Sequence, residues 1–181
     1  SNGADGISIT GNGTTDTVIK ANFIGTNADG DQSLGNLNNG IGLYSGASGS
    51  TIGGDSSVGE GNLISGNVGN GVELWGENTN DNRIAGNRIG TSLDGSSAIE
   101  NEASGVQISD GASYNLIGGN SNDNTGNLIS GNRSAGVAVL TSTSVGNIIT
   151  GNRIGTNEAG DATLYNQFGI YIYSATDTYV G

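Results

Sequence analysis

The apolar positions of this chain repeat one short theme. Stretches reading glycine, apolar, any residue, apolar begin at Gly6, Gly40, Gly71, Gly105, Gly136 and Gly169. The paired apolar residues are Ile7/Ile9, Ile41/Leu43, Val72/Leu74, Val106/Ile108, Val137/Val139 and Ile170/Ile172. Alternation with period two predicts a strand with one side chain turned in and the next turned out. A second strand signal is centred on Ile19, Ile52, Ile84, Ile117 and Ile149, 12 or 13 residues after each glycine. A third is centred on Ile24, Ile64, Ile89, Ile129 and Ile154. Glycine and asparagine separate the signals, and no run keeps a 3.6-residue period, so helix is not expected.

The glycines are spaced by 34, 31, 34, 31 and 33 residues, so long and short units alternate. A shift of 65 residues superposes like on like. Asn87-Arg88-Ile89-Gly90-Thr91 returns as Asn152-Arg153-Ile154-Gly155-Thr156, and residues 61–67 return unchanged at 126–132. Self-similarity at this period is the signature of a solenoid. The expected architecture is all-β, a right-handed three-stranded parallel β-helix of about five to six coils. Residues 1–181 form one such domain, read as part of a longer repeat array. Long units carry loops at 26–39, 91–104 and 156–168, and short units at 53–61 and 118–126. Like loops then recur every second coil, roughly 10 Å apart. Leu34, Ile99 and Leu164 hold equivalent loop positions and are expected to anchor each loop to the wall.

An asparagine stands two residues before every third-strand isoleucine: Asn22, Asn62, Asn87, Asn127 and Asn152. Asparagine tolerates the left-handed backbone of a sharp corner. Stacked amides also hydrogen-bond from layer to layer, so the row is read as a structural ladder.

Composition narrows the chemistry. The chain has 5 Lys+Arg against 17 Asp+Glu, a formal charge of −12. Such a charge disfavours nucleic acid, which needs basic residues, and anionic membrane surfaces. No apolar run approaches membrane-spanning length. Without His or Cys, nucleophilic triads and zinc, haem or iron–sulfur ligand sets are excluded. Carboxylate chemistry and cation binding remain.

These repeats resemble the right-handed parallel β-helices of pectate-lyase-like folds. More closely, they resemble the Asn- and Gly-rich arrays of large bacterial surface and secreted proteins. The resemblance implies an extracellular or cell-surface location. In pectate-lyase-like enzymes it also implies a substrate lying along the outer face of a strand ladder, served by clustered Asp and a basic residue. On the outward positions of the first strand only Glu73 is charged, so catalysis is not expected. The same positions carry Tyr44, Trp75 and Tyr173, which with Glu73 are the candidate ligand-binding residues, glycans or other surface proteins being the partners considered. Candidate metal ligands are Asp29, Asp31, Asp94 and Asp161 in the long loops, with Ca²⁺ the fitting ion. These acids lose register, since Ala159 stands where Asp29 and Asp94 stood, and a solvated acidic surface is the preferred reading. Sequons occur at Asn12 and Asn132. The chain stops in mid-coil at Tyr179-Val180-Gly181, which leaves a cut array or end-to-end association into a filament as alternatives. The expected role is a rigid or adhesive spacer, the alternative a carbohydrate-binding or degenerate polysaccharide-processing module.

Overall fold

A computed structural model describes residues 1–119 and 123–181; residues 120–122, within the second short-unit loop, lie outside the described residues. The chain winds into a parallel β-solenoid of about five turns. The first sheet contains β1 (Ile7–Thr10), β4 (Ile41–Tyr44), β7 (Val72–Trp75), β10 (Val106–Ser109), β13 (Ala135–Leu140) and β16 (Phe168–Tyr173). The second contains β2 (Val18–Ile19), β5 (Thr51–Gly53), β8 (Arg83–Ala85), β11 (Leu116–Gly118), β14 (Ile148–Thr150) and β17 (Tyr179–Val180). The third contains β3 (Phe23–Ile24), β6 (Leu63–Ile64), β9 (Arg88–Ile89), β12 (Leu128–Ile129) and β15 (Arg153–Ile154). A short 3-10 turn, Ser56–Val58, interrupts the all-β pattern in the first short-unit loop; Asp55 caps it.

The registers are those the repeat predicts. Ile24, Ile64, Ile89, Ile129 and Ile154 are successive partners in the third sheet. Ile19, Ile52, Ile84, Ile117 and Ile149 are partners in the second, and Val180 continues that row. With the inward residues of the first sheet they fill the tube, and Ile64, Ile84, Ile89 and Ile129 have no exposed surface. Burying each such side chain contributes about 1.5–3 kcal/mol. Inward-facing Ile172 is nevertheless 41% exposed, because β16 lies at the edge of its sheet and pairs only with β13.

The asparagine row forms a ladder on the inside of one corner. Asn22, Asn62, Asn87 and Asn127 each donate an Nδ2 hydrogen bond to the Oδ1 of the next asparagine, ending on Asn152, at 2.8–3.1 Å. Each Oδ1 also accepts the backbone N–H of the asparagine before it. The remaining amide hydrogen reaches a main-chain carbonyl; Asn87 donates to Ile52 O at 2.9 Å. These asparagines do not take the left-handed backbone expected of them. In the long units that conformation falls on the preceding residue, Ala21, Gly86 or Gly151. The asparagine itself stays free to aim its amide along the solenoid axis.

Two further ladders were not read from the sequence. Asn2, Asn36, Asn67, Asn101, Asn132 and Asn166 link amide to amide at a second corner. Asn82, Asn115 and Asn147 do so at the third. Asn132, one of the two sequon asparagines, is therefore 2% exposed with its amide committed.

The long loops fold over the outside of the third sheet. Outward-facing Leu63 and Leu128 are only 2% and 5% exposed, because loop backbone at Gly30 and Gly95 lies against their methyl groups. Each loop also touches its equivalent two coils away: Leu93 N–H donates to Gly30 O at 2.9 Å, and Glu158 N–H to Gly95 O at 3.0 Å. The expected apolar anchor holds for Ile99, which is buried, and partly for Leu164, but not for Leu34, which is 55% exposed. What pins every long loop is backbone. The N–H groups of Leu34, Ile99 and Leu164 donate to the carbonyls of Gly25, Gly90 and Gly155. Only the latter two also accept from Gly66 and Gly131 of the neighbouring coil, which draws their side chains inward.

Candidate functional site

The outer face of the first sheet brings three of the four candidate ligand-binding residues together. Tyr44 and Trp75 are register partners on β4 and β7, and Glu73 lies beside Gly42. The glycine is needed there: the Tyr44 ring lies across it, and a Cβ would collide with the phenol. The Tyr44 hydroxyl donates to Asp5 Oδ2 at 2.9 Å and accepts from Asn39 Nδ2 at 2.9 Å. The same Nδ2 reaches Glu73 Oε2 at 2.7 Å, and Gln107 Nε2 reaches Glu73 Oε1 at 3.2 Å. Burial, with two carboxylates nearby, pushes the Tyr44 phenol well above the usual tyrosine range.

Trp75 is 43% exposed, and its indole Nε1 donates to Asp110 Oδ2 at 2.6 Å. Asp110 follows β10, one coil further on, so this bond draws the indole along the solenoid axis. Tyr173 stands three coils beyond Trp75, about 14 Å at a strand spacing near 4.8 Å. It stacks instead on Tyr171, with ring centroids 6.4 Å apart and planes 7° apart. The structure therefore groups Tyr44, Glu73 and Trp75 and leaves Tyr173 apart. Asp5, Asn39 and Asp110 complete the group and were missed. Asp5 precedes Gly6 as Asn39 precedes Gly40, so the repeat itself carried that signal.

The acidic loop residues serve their own turns. Asp31 accepts from Asn27 Nδ2 at 2.7 Å, and Asp161 from Asn157 Nδ2 at 2.8 Å. Asp94 accepts from Ser92 Oγ, Ser96 N and Ser96 Oγ, which lowers its pKa to about 2. Asp29, Asp31 and Asp94 line one open depression of about 310 Å³, whereas Asp161 belongs to the third long loop. Among the described residues, no group of three or more His, Cys, Asp or Glu is placed to hold a metal ion.

Basic residues lie elsewhere. Glu158 bridges Arg88 and Arg153 on the outside of the third sheet, at 3.3 and 3.4 Å. Arg133 pairs with Glu100 and Glu102, and Lys20 with Glu60. Arg83 stands on the second sheet. None of the five is on the first sheet or in the turns that follow it.

No helix among the described residues is long and apolar enough to cross a membrane. Compared with protein-family models, curated proteins and solved structures, the chain finds no match.

Proposed function

We propose that this chain is a structural segment of an extracellular or cell-surface protein, a rigid repeat that spaces and displays outward-facing surfaces for adhesion. The observation that carries the reading is the set of three asparagine ladders at the corners, closing on fully buried aliphatic rows. Each coil is fixed to the next by side-chain amides as well as backbone. A scaffold needs that stiffness along its axis.

The absence of His and Cys and the engagement of Glu73 with Asn39 and Gln107 point the same way. The acidity keeps the sides of the solenoid from associating without a partner. Two measurements test the proposal. Antibodies against the long loops should label intact producing cells, and purified protein should leave a panel of polysaccharides uncleaved. A strictly cytosolic antigen, or saturable cleavage of any polysaccharide, would overturn it.

A further inference from the structure

The first-sheet face carries unpaired acidic side chains as well as aromatic ones. Glu73 lies on it, Asp5 and Asp110 flank it, and Glu77 follows in the next turn, with no Lys or Arg among them. Glu60, Glu100, Glu102 and Glu158 meet cations on other faces, and these four do not. In the middle of the uncompensated patch lies Trp75, fixed through its indole N–H to Asp110. With the indole edge held by a carboxylate, the exposed part of its electron-rich ring is open to a cation.

A second observation marks the place. Ser109 is the register partner of Trp75, is only 4% exposed, and its Oγ has no hydrogen-bond partner among the described residues. Buried hydroxyls are nearly always paired, and this one, beside Trp75, is not.

We infer that the face around Trp75 is a docking surface for a basic polypeptide segment, whose Arg or Lys side chains lie over the indole and pair with Glu73, Glu77 and Asp110. The inference rests on the surface role proposed above for where such a partner is met, and it names the partner's chemistry. A guanidinium suits the site best, because it is planar, weakly hydrated and stacks on aromatic faces. A divalent cation would want six to eight oxygens, and among the described residues no group of three or more acids is placed to hold one. A neutral sugar would stack on the indole but would draw nothing from the surrounding negative potential.

Trp75 is the single tryptophan, so its fluorescence reports the site directly. Titration with an octa-arginine peptide at physiological ionic strength should change that fluorescence saturably. The pair Glu73→Gln with Asp110→Asn should weaken binding at least tenfold, with its thermal melt showing that the fold is kept. The pair Asp29→Asn with Asp161→Asn removes the same charge from the long loops and should weaken it less than threefold. Equal weakening by both pairs would reduce the effect to net charge and overturn the inference. So would a response to cellohexaose with none to the peptide, or undiminished peptide binding by calorimetry in Trp75→Phe. Each of these failures leaves the cell-labelling result untouched, so the two proposals fall separately.

Discussion

The first and third sheets share one interior and treat their outer faces in opposite ways. On the third, the long loops form a roof, Leu63 and Leu128 are buried beneath it, and Arg88 and Arg153 are tied to Glu158. On the first, no loop among the described residues forms a roof. Its outer positions carry Tyr44, Trp75 and uncompensated carboxylates held by side-chain hydrogen bonds. Inside the tube, residue identity is set by the neighbours above and below. Outside, it is set by what covers the position, and only the uncovered face is left to meet something else.

The largest expected effect lies in the interior that both faces share. Asn87→Ala removes an acceptor from Asn62 and a donor from Ile52 O and Asn127 Oδ1, all buried. At about 1–3 kcal/mol for each buried group left unpaired, it should cost about 3 kcal/mol or more in urea unfolding. Exposed Asn22→Ala should cost about 1 kcal/mol. Equal costs would mean that the ladder adds nothing beyond its single bonds.

Next comes the contrast between the faces. Leu128→Ala, under the roof, should cost about 2–4 kcal/mol. Trp75→Ala, on the open face, should cost under about 1 kcal/mol despite removing a larger side chain. The reverse order would show that the first-sheet face is a packing surface after all.

Tyr44 sharpens the same contrast through pH. Its phenol is held neutral by burial and by donation to Asp5, so its folded pKa is raised. That contribution to stability is whole below the unfolded value near 10 and fades as pH rises through the raised folded value. Spectrophotometric titration should find one of the six tyrosines ionising late, and Tyr44→Phe should remove that step. If all six ionise together, the network around Tyr44 is not formed in solution.

The smallest effect concerns the roof. Asp94 is depressed to about 2 by bonds from Ser92 and Ser96, so its contribution is present above the usual 3.8 and lost as pH falls toward 2. Protection of the Ser96 amide against exchange, relative to its intrinsic rate, should fall between pH 4 and 2, and Asp94→Ala should remove it at pH 7. An unchanged rate would place the loop's hold in its backbone bonds alone.

The fold was legible because a solenoid writes each contact into the chain several times over. Ile24 and Ile64 meet in space because they repeat in sequence, and the first asparagine row was visible by the same logic. The other two ladders were equally periodic, with Asn82, Asn115 and Asn147 each two residues before a second-strand isoleucine. That row was masked because Thr17 and Ser50 stand at its first two positions. The grouping of Tyr44, Glu73 and Trp75 could be read from alternation, but their hydrogen-bond partners could not. Asp5 and Asp110 lie just outside the strands, and whether such side chains turn toward the face depends on rotamers that no periodicity encodes. The burial of Leu63 and Leu128 was hidden for a related reason: loop direction follows from backbone bonds such as Leu93 to Gly30, not from the apolar residues the loops contain.

Those bonds between alternate loops set how the molecule would yield to a pull. A coil peeled from either end must release its asparagine ladders and, in every second coil, a loop clasped to another two storeys away. Resistance therefore comes in pairs of coils, and a stretched chain should lengthen in steps of about 65 residues, roughly 22 nm each, where a simple coil would give half that. Single-molecule extension would read the step directly, and replacing the outer stretch of loop 91–104 with a short glycine turn should halve it.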